Sequence, residues 1–365
     1  MSAGGHSGTG GRTRDRDRDG RIAPLVTTVV LCFNEPEITR QCLRSLTAQT
    51  YAEQEIIVID NGSTKGDCGA LEREFEQIRL IRLHRNLGFA GGCNRGFAEA
   101  RGKYVALLNN DAVAAPEWLD SMVRTAESDP RIGSVASIVL DGGNPAVLDS
   151  LGVGIAVDGM SRQSMKGECP PVFDEPREVL VASGCACLYR MDALRRVGGF
   201  DDDFFAYCED TDLGLRLLWA GYRTVAAPGA VVLHHYSQTA GAFSLRKIFW
   251  VERNHYWVAL KNFPLILLLV LPLTTCWRFL VQGYAVLFAR NLDGFVQQSG
   301  AMAILKTLLR ADIEALSGAA AVWEKRREGY ACRQIGNLQM IRMLMKFRMP
   351  LFEIVAGGKR ACHRA

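Results

Sequence analysis

Several features that define other classes of protein are missing from this sequence of 365 residues. Its eleven cysteines include no Cys-x-x-Cys pair, which excludes a zinc ribbon or a thioredoxin-like motif. No repeat of fixed period is visible, which argues against a solenoid or a propeller. The N-terminus has no apolar core of a secretory signal. With 48% hydrophobic and 22% charged residues, the chain is expected to fold as an α/β enzyme rather than as a disordered or polytopic membrane protein.

The two ends of the chain differ in composition from its middle. Residues 1–21 are rich in Gly, Ser and Thr and then alternate Arg with Asp, which predicts a disordered leader. The aspartates cancel the arginines, so nucleic acid is not an expected partner. Residues 322–365 hold ten Lys or Arg against three acidic residues, although the whole chain has a net charge of only +4. Such a basic tail predicts contact with an anionic surface.

An uncharged segment comes before this tail. Residues 262–277 carry no charge and end at Arg278. A simple membrane-spanning helix needs about 18 or more apolar residues, and Pro264 and Pro272 also disfavour one straight helix. A re-entrant or interfacial hairpin fits better, and a buried pair of core helices is the alternative. With the basic tail, the segment predicts a two-signal anchor on an anionic membrane, in a helical membrane-associating extension over residues 263–365.

Residues 22–262 alternate the patterns of strands and helices. Apolar, β-branched runs predict strands at 25–32, 55–60, 79–83, 104–108, 179–190 (broken at Gly184) and 230–234. Helices are predicted at 37–50, 67–77, 90–100 and 209–221. Residues 141–177 are expected to be a loop or a small antiparallel excursion. The alternation predicts a parallel sheet, in which ligands lie beyond the carboxyl ends of the strands. That rule selects Asn34, Asp60 and Asn109–Asp111.

Two of the polar motifs are suited to a nucleotide. Asp60 ends a strand and opens a turn, so its carboxylate either accepts the imide N–H of a pyrimidine or caps the turn. The glycines of segment 88–92 stand at a predicted helix start, where backbone N–H groups approach a phosphate and Arg85 and Arg95 add charge. Close packing of this helix against the sheet is the alternative.

Three further motifs are suited to chemistry. Asn109–Asp111 offers one carboxylate flanked by amides, which suits a divalent cation that also binds a diphosphate, or else caps a helix. Carboxylates are densest at Asp201–Asp203 and Glu209–Asp212, where one of them can serve as a general base on a hydroxyl. His234 follows this acidic helix and is either a structural histidine or a metal ligand at the same site.

In this order along the chain, the motifs resemble those of glycosyltransferase family 2. The resemblance covers about residues 25–262, and it is nearest to the bacterial branch of rhamnosyltransferases and galactofuranosyltransferases. The motifs that carry it are Asp60 with its Gly-Ser turn, Arg85–Asn94, Asn109–Asp111, Gly198–Asp201, Glu209–Leu213 and His234. Asn109 stands where a D-x-D motif has its first aspartate, which weakens the expectation of strict metal dependence.

The resemblance implies a GT-A fold, a nucleotide-sugar donor and a divalent cation, Mg²⁺ or Mn²⁺. It makes Asp210 the catalytic base, with Glu209 beside it to orient the acceptor. It makes Asp111 and His234 the metal ligands, and it places Asp60 against the pyrimidine. The nucleotide-sugar-binding residues expected from it are Asn34, Glu35, Asp60, Arg85, Asn86, Gly88, Asn94, Asn110 and Asp111.

The expected activity is an inverting transfer of a sugar to a hydroxyl of a saccharide or lipid-linked acceptor. The resemblance places it in cell-envelope polysaccharide synthesis, at the cytoplasmic face of the inner membrane. It favours dTDP-rhamnose as donor, with a UDP-sugar as the alternative. Two other classes stay open. One is a non-catalytic, membrane-associated scaffold that keeps the fold. The other is a nucleotidyltransferase, although the turn Cys32–Pro36 lacks the glycines and basic residues of that class.

Overall fold

A computed structural model describes residues 23–235, 244–288, 300–350 and residue 353, so the predicted leader lies outside the described residues. The strands are β1 (Val26–Cys32), β2 (Gln54–Asp60), β3 (Ile78–Arg82), β4 (Tyr104–Leu108), β5 (Ala112–Ala114), β6 (Ile132–Asp141), β7 (Asn144–Ser150), β8 (Val153–Ile155), β9 (Ser161–Gln163), β10 (Arg177–Val179), β11 (Ala186–Arg190) and β12 (Arg223–His234). The α-helices are α1 (Pro36–Thr47), α2 (Gly69–Glu74), α3 (Gly88–Glu99), α4 (Trp118–Ser128), α5 (Met191–Val197), α6 (Glu209–Trp219), α7 (Leu245–Asn262), α8 (Leu265–Phe288), α9 (Ala301–Ser317), α10 (Ala319–Glu328) and α11 (Asn337–Lys346).

The central sheet is mixed, with its strands in the order β10-β12-β6-β11-β4-β1-β2-β3. The run β4-β1-β2-β3 is parallel, as the alternation of strands and helices predicts. On its other side β11 runs antiparallel to both β4 and β6, and β12 is parallel to β6. The short strands β5 and β7 join the sheet antiparallel to β12 and β6. The expectation of a parallel sheet is therefore confirmed for one half, and the other half is mixed.

The largest omission from the sequence-based prediction is β6. Its sequence contains Gly133, Ser134, Ala136 and Ser137, small residues with little intrinsic preference for strands. It forms a strand because β11 and β12 pair with its two sides in the middle of the sheet. The strand predicted at 179–190 is confirmed for its second half, β11, whereas residues 180–185 belong to no strand and β10 reaches the predicted range only at Val179. The excursion at 141–177 contains the antiparallel strands β7, β8 and β9.

Helices cover both faces of the sheet because successive side chains of each strand point to opposite sides. In β1, Val30 packs in the cluster that includes buried residues of α1, α2 and α4. Its neighbour Val29 packs in the cluster that includes residues of α3, α5 and α6. With both faces buried, the open edge at the carboxyl ends of β1, β2 and β4 is left for polar residues.

The C-terminal helices pack on a third apolar cluster beside α6 and α7. Here α7 and α8 form a helical hairpin whose turn contains Phe263 and Pro264. The predicted hairpin within residues 262–289 is wrong, since α8 is one continuous helix that includes Pro272. Proline removes a single donor from the helix, and the remaining turns stay hydrogen-bonded. Among the described residues, Leu265–Gln282 is the one stretch long and apolar enough to cross a membrane, and only 6% of it is buried.

A buried ion cluster attaches α8 to the rest of the molecule. Arg278 is fully buried, and its Nε lies 2.7 Å from Oδ2 of Asp158 in the β8–β9 connection. Its Nη2 lies 2.5 Å from Oε1 of Glu252 on α7. Both carboxylates are buried, and among the described residues the Arg278 guanidinium is the cation that pairs with them.

We predict that Arg278→Met lowers the free energy of unfolding by about 3–5 kcal/mol, because two carboxylates would stay buried without their cation. Chemical denaturation in mild detergent measures the change. Arg342→Met, at an exposed position of α11, is the matched control and is expected to change stability by less than about 0.5 kcal/mol. Equal stability of the two variants would contradict the prediction.

Candidate active site

The carboxyl ends of β1 and β2 bring Asn34 and Asp60 to one turn. The Asn34 side-chain oxygen accepts hydrogen bonds from the backbone N–H groups of Thr64 and Lys65, at 2.8 and 2.9 Å. Asp60 is buried, and its Oδ1 accepts from the N–H of Ser63 at 2.9 Å. The turn-capping alternative for Asp60 is therefore present, while its contact with a pyrimidine stays a prediction.

Asn61 is a site residue that sequence reasoning missed. Its buried amide donates to Oδ1 of Asn86 at 3.1 Å and to the carbonyl of Gly88 at 2.9 Å, and its oxygen accepts from the N–H of Leu87. These bonds shape the chain where it enters α3. The only signal in the sequence was the Asn-Gly turn, which does not reveal the partner. Arg85 stands just before this entry with an exposed side chain.

Three predicted donor-binding residues make hydrogen bonds within the protein. The amide nitrogen of Asn94 on α3 donates to the carbonyl of Phe200 at 2.9 Å, and its oxygen accepts from the N–H of the same residue. The amide of Asn110 donates to the Thr39 hydroxyl of α1 at 3.3 Å. The backbone carbonyl of Glu35 accepts from both N–H and hydroxyl of Thr39 at the start of that helix. Their roles toward a donor stay predictions.

Asp111 and His234 lie together because β5 pairs with the end of β12. Nε2 of His234 is 3.3 Å from Oδ1 of Asp111. Its Nδ1 lies 2.8 Å from Oδ2 of Asp149, a buried residue of β7 that forms an ion pair with Lys166. Burial lowers the pKa of His234, but the neighbouring Cys185 and the two carboxylates outweigh burial and raise it. Asp149 belongs to no motif, so sequence reasoning missed it.

This arrangement fits a divalent cation. The Asp149 carboxylate is hydrogen-bonded to Nδ1 of His234. This bond orients Nε2 toward Asp111, as in other carboxylate–histidine–metal sites. A carboxylate oxygen and an imidazole nitrogen are acceptable ligands for Mn²⁺. Within the described ranges, no group of three or more His, Cys, Asp or Glu side chains forms a complete metal site. A metal held by Asp111 and His234 would therefore share its shell with oxygens of a ligand.

The carboxylate of Asp210 is half-buried at the start of α6. Its Oδ2 accepts from the N–H of Gly184 at 3.0 Å, and its Oδ1 accepts from the N–H of Thr211 at 2.6 Å. Burial raises the pKa of Asp210, which makes its carboxylate a stronger base. Glu209 is buried, and burial together with Asp210 raises its pKa well above the ordinary value. Of the two, Asp210 has the more accessible carboxylate.

The segment Gly184–Cys185 connects the acidic helix with the Asp111–His234 pair. The N–H of Gly184 binds Asp210, and the carbonyl of Cys185 accepts from the N–H of Asn109 at 2.8 Å. The buried Cys185 thiol lies close enough to His234 for each group to influence the pKa of the other. The predicted base and the predicted metal ligands are therefore gathered around two residues of the chain, although they come from distant parts of the sequence.

The backbone before α6 is strained. Three non-glycine residues there have positive φ angles, 61°, 70° and 65°, at Phe205, Tyr207 and Cys208. Each such residue costs about 1–3 kcal/mol and persists only where surrounding contacts impose it. The fully buried Asn254 of α7 supplies such contacts, donating to three carbonyls of segment 204–207. The carbonyl of Phe205 also accepts from the N–H of Ala90 on α3 at 3.1 Å.

Comparison with known proteins identifies the family and the fold. The model of the Glycosyl transferase family 2 matches residues 27–198. An N-acetylglucosaminyl-diphospho-decaprenol L-rhamnosyltransferase of Mycobacterium tuberculosis is 31% identical over 246 residues, which cover 60% of this chain and 79% of that protein. The O-antigen biosynthesis protein RfbC of Myxococcus xanthus is 28% identical over 67% of this chain and 20% of its own length. The crystal structure of GalNAc-T7 with UDP, GalNAc and Mn²⁺ has a TM-score of 0.54 at 16% identity, covering 65% of this chain and 47% of that one.

The fold is thus the GT-A fold, and the protein is a glycosyltransferase. The chain belongs to glycosyltransferase family 2.

We predict that Gly88→Ala lowers the activity more than backbone strain alone would. A Cβ at Gly88 (φ +76°) would lie 2.3 Å from the carbonyl oxygen of Phe205, in the strained segment before Asp210. Gly198 has a similar φ of +89° and open space around it, so Gly198→Ala is the matched control and costs only about 1–2 kcal/mol. The rate of nucleoside diphosphate release from the donor is expected to fall at least about tenfold for Gly88→Ala alone. Equal rates in the two variants would refute this.

Proposed function

We propose that the protein is an inverting glycosyltransferase of cell-envelope polysaccharide synthesis, with its catalytic domain in residues 22–262. It moves a sugar from a nucleoside-diphosphate sugar to a hydroxyl of a saccharide or lipid-linked acceptor. The observation that carries this proposal is the arrangement around Gly184–Cys185, where the carboxylate of Asp210 and the pair Asp111–His234 meet. A base and an anion-neutralising centre are the two groups that such a transfer needs.

The chemistry follows from these groups. Asp210 accepts the proton of the acceptor hydroxyl as its oxygen forms a bond to the anomeric carbon. The bond from that carbon to the diphosphate oxygen breaks on the opposite face, which inverts the configuration, and the nucleoside diphosphate leaves. Asp111 and His234 would hold Mg²⁺ or Mn²⁺, which supplies Lewis-acid neutralisation of the leaving charge. The presence of UDP and Mn²⁺ in the GalNAc-T7 structure supports this part of the proposal.

The relatives support a choice of substrates. The mycobacterial relative is named an L-rhamnosyltransferase acting on N-acetylglucosaminyl-diphospho-decaprenol. We therefore favour dTDP-rhamnose as donor over a UDP-sugar, and an acceptor sugar carried on a polyprenyl diphosphate. Asp60 would contact the pyrimidine of either donor. The other residues that we propose to bind the donor are Asn34, Glu35, Arg85, Asn86, Gly88, Asn94 and Asn110.

We predict that Asp210→Asn lowers kcat by about 10²–10⁴-fold, because the amide cannot take the proton of the acceptor. Donor binding is expected to persist, since Asp210 does not hold the nucleotide. A thermal-shift titration with dTDP, UDP and GDP, each with and without Mn²⁺, measures this binding. A ligand at one hundred times its Kd stabilises by about 2.7 kcal/mol.

Asp111→Ala is the matched control, which should lose the metal-dependent part of the thermal shift. Near-wild-type turnover of Asp210→Asn would remove that residue from the role of base. If none of the nucleotides stabilised the wild-type protein, the proposed activity itself would fail.

We further infer that the protein docks on the anionic cytoplasmic face of the membrane through its C-terminal extension, residues 263–365. One face of α8 is exposed and apolar, formed by Leu265, Ile266, Leu269, Val270, Leu273, Trp277 and Leu280. A second exposed stripe runs along α9, formed by Met302, Leu305, Leu309, Ile313 and Leu316. Lys306 and Arg310 are exposed beside it, a composition typical of helices that lie at a lipid interface.

The ion cluster of α8 favours lying on the bilayer over crossing it. Arg278 follows Leu265 by thirteen residues, which is about 20 Å along a helix. A spanning α8 would carry Arg278 and its partners Asp158 and Glu252 to about the middle of the hydrocarbon region. Those partners belong to the β8–β9 connection and to α7, so the catalytic domain would have to enter the bilayer with them.

We predict that the double substitution Leu269→Glu and Leu273→Glu weakens binding to vesicles of phosphatidylcholine and phosphatidylglycerol at least about tenfold. Each new carboxylate would have to leave water or lift the helix from the lipid. Co-sedimentation measures the binding. Val172→Glu is the control, because Val172 is a 96% exposed apolar residue outside the two stripes. Unchanged binding of the double variant would exclude α8 from the docking surface.

A further inference from the structure

A cavity lies where the end of α6 meets the C-terminal extension, and the mechanism above does not use it. We call it the junction cavity. Its empty volume, including the open mouth, is about 360 Å³, within the range of small-molecule sites. Arg216 and Trp219 of α6 line it, and they follow Asp210 by about 9 and 14 Å along the helix. The junction cavity is therefore separate from the proposed base.

The walls of the junction cavity carry more positive than negative charge. The basic side chains that line it are Arg216, Lys261, Lys325, Arg326 and Arg333. The first three form ion pairs with the carboxylates of Asp201, Asp203 and Asp212. Among the described residues, no carboxylate forms an ion pair with Arg326 or Arg333. The lining groups and their ion-pair partners thus leave a surplus of two positive charges.

The two arginines without a carboxylate have different surroundings. Arg326 is buried, and its Nη1 and Nη2 donate to the carbonyls of Leu260 and Phe263 at 2.8 and 2.7 Å. These carbonyls lie at the C-terminal end of α7, where a cation is favourable. Arg326 is therefore used to attach α10 to α7.

Arg333 is the half-buried cation that the protein leaves available. Its guanidinium carbon lies 3.8 Å from the centroids of both the Trp219 and the Tyr330 rings. Burial and the charge of Arg326 lower the pKa of Arg333. An anion that enters the cavity would stabilise this guanidinium. Phosphate is a suitable anion, because a guanidinium can donate two parallel hydrogen bonds to its oxygens.

The junction cavity adjoins the exposed apolar face of α8. Asn262 lines the cavity, and α8 begins three residues later at Leu265. Leu265 and Ile266 are 53% and 58% exposed, and they begin the face that we place against lipid. Tyr330, which contacts Arg333, is 44% exposed, and tyrosine is enriched at the level of lipid headgroups. A cation next to an apolar face matches a ligand whose phosphate is joined to acyl chains.

We propose that the junction cavity binds the phosphate of an anionic phospholipid through Arg333, with the acyl chains along the exposed face of α8. This assignment rests on the membrane docking proposed above, since it names the lipid group that the C-terminal extension binds. The diphosphate of an acceptor sugar is a different ligand. It would have to lie within one sugar ring of Asp210, whereas the junction cavity is at the other end of α6.

The test measures the binding of a short-chain lipid to the full-length protein in nonionic detergent. The probe is dihexanoylphosphatidylglycerol, and isothermal titration calorimetry measures its Kd. Arg333→Gln is expected to raise this Kd at least about tenfold, because a hydrogen-bonded contact between two charged groups is lost. Dihexanoylphosphatidylcholine, whose choline cancels the charge of the phosphate, is expected to bind at least about tenfold more weakly than the probe.

Arg327→Gln is the matched control. Arg327 is an exposed cation of the same basic tail and does not line the junction cavity. Its loss changes the net charge by the same amount, so the Kd of the probe is expected to stay within about twofold. Equal losses in the two variants, or equal binding of the two lipids, would show attraction by diffuse charge only and overturn the assignment.

Inorganic phosphate separates a lipid from a free anion. Arg333→Gln is expected to weaken both inorganic phosphate and the lipid probe, whereas Leu265→Gln is expected to weaken only the lipid. If inorganic phosphate binds as tightly as the probe, or if Leu265→Gln leaves both unchanged, the cavity is a site for a free anion and the lipid assignment is wrong.

A second measurement needs no substitution, so it does not depend on the folding of a variant. Cys332 lines the junction cavity and is half-buried. Dihexanoylphosphatidylglycerol at ten times its Kd is expected to slow the alkylation of Cys332 by N-ethylmaleimide about tenfold, since only the unliganded fraction reacts. Peptide mass spectrometry measures the rate, and the same concentration of dihexanoylphosphatidylcholine is the control. An unchanged rate with the probe would overturn the assignment.

The proposed docking and the junction site fail in different ways. If the wild-type protein sediments with vesicles of phosphatidylcholine and phosphatidylglycerol but does not bind the probe, the junction site is wrong and the docking stands. If it neither sediments nor binds the probe, the docking is wrong as well. The thermal shift with nucleotides tests the transferase independently of both.

Discussion

The candidate active site depends on the contact between α7 and the strained segment that leads into α6. The carbonyls of Phe204, Ala206 and Tyr207 in this segment all accept hydrogen bonds from the single side-chain amide of Asn254. Arg253 adds bonds to the carbonyls of Asp203 and Phe204 at 2.8 and 3.2 Å. Positive φ angles at Phe205, Tyr207 and Cys208 would relax without this contact. The direction in which α6 begins, and with it the position of Asp210, is thus set by a helix more than forty residues later in the chain.

Within α6, the surroundings shift the pKa values of two aspartates in opposite directions, although the two are only two residues apart. Burial acts against the ionised form of Asp212, but Arg216 and Lys261 outweigh it and lower its pKa to about 2. Asn262 also donates to this carboxylate at 2.8 Å, so Asp212 is a structural anion that holds α6 against α7. Among the described residues no cation pairs with Asp210, and burial raises its pKa. Carboxylates whose pKa values are driven apart in this way can divide structural and proton-transfer roles.

The same helix α7 also joins the catalytic domain to its C-terminal extension. One side of α7 binds the segment before α6, and Glu252 on α7 binds Arg278 of α8. Because both contacts are buried, a shift of α8 would also move the segment that leads into α6. If the C-terminal extension docks on a membrane as proposed, this connection would fix the height of the candidate active site above the lipid.

The sequence alone determined the parts of this protein that depend on local pattern. Apolar, β-branched runs specified β1 to β4, and the polar residues that follow them specified the edge where ligands bind, since parallel strands end together. The order of the motifs was enough for the family. The strand β6 was not predictable, because its small residues form a strand only when β11 and β12 flank them. The continuous helix α8 was not predictable either. Pro272 indicated a break in the sequence, but the helix continues through it.

Only the tertiary structure decided which polar residues act together. Asp149 of β7 and Asn254 lie in no recognisable motif, and Asn61 belongs to a turn whose sequence does not reveal its partners. The importance of all three comes from partners that are distant in sequence. Asp60, Asn94 and Asn110 were selected as ligand-binding residues, and their hydrogen bonds to the protein became visible only in the fold. A sequence pattern shows which chemical groups are present at the end of an element. Which groups face one another depends on long-range pairing and packing, and those interactions exist only once the chain has folded.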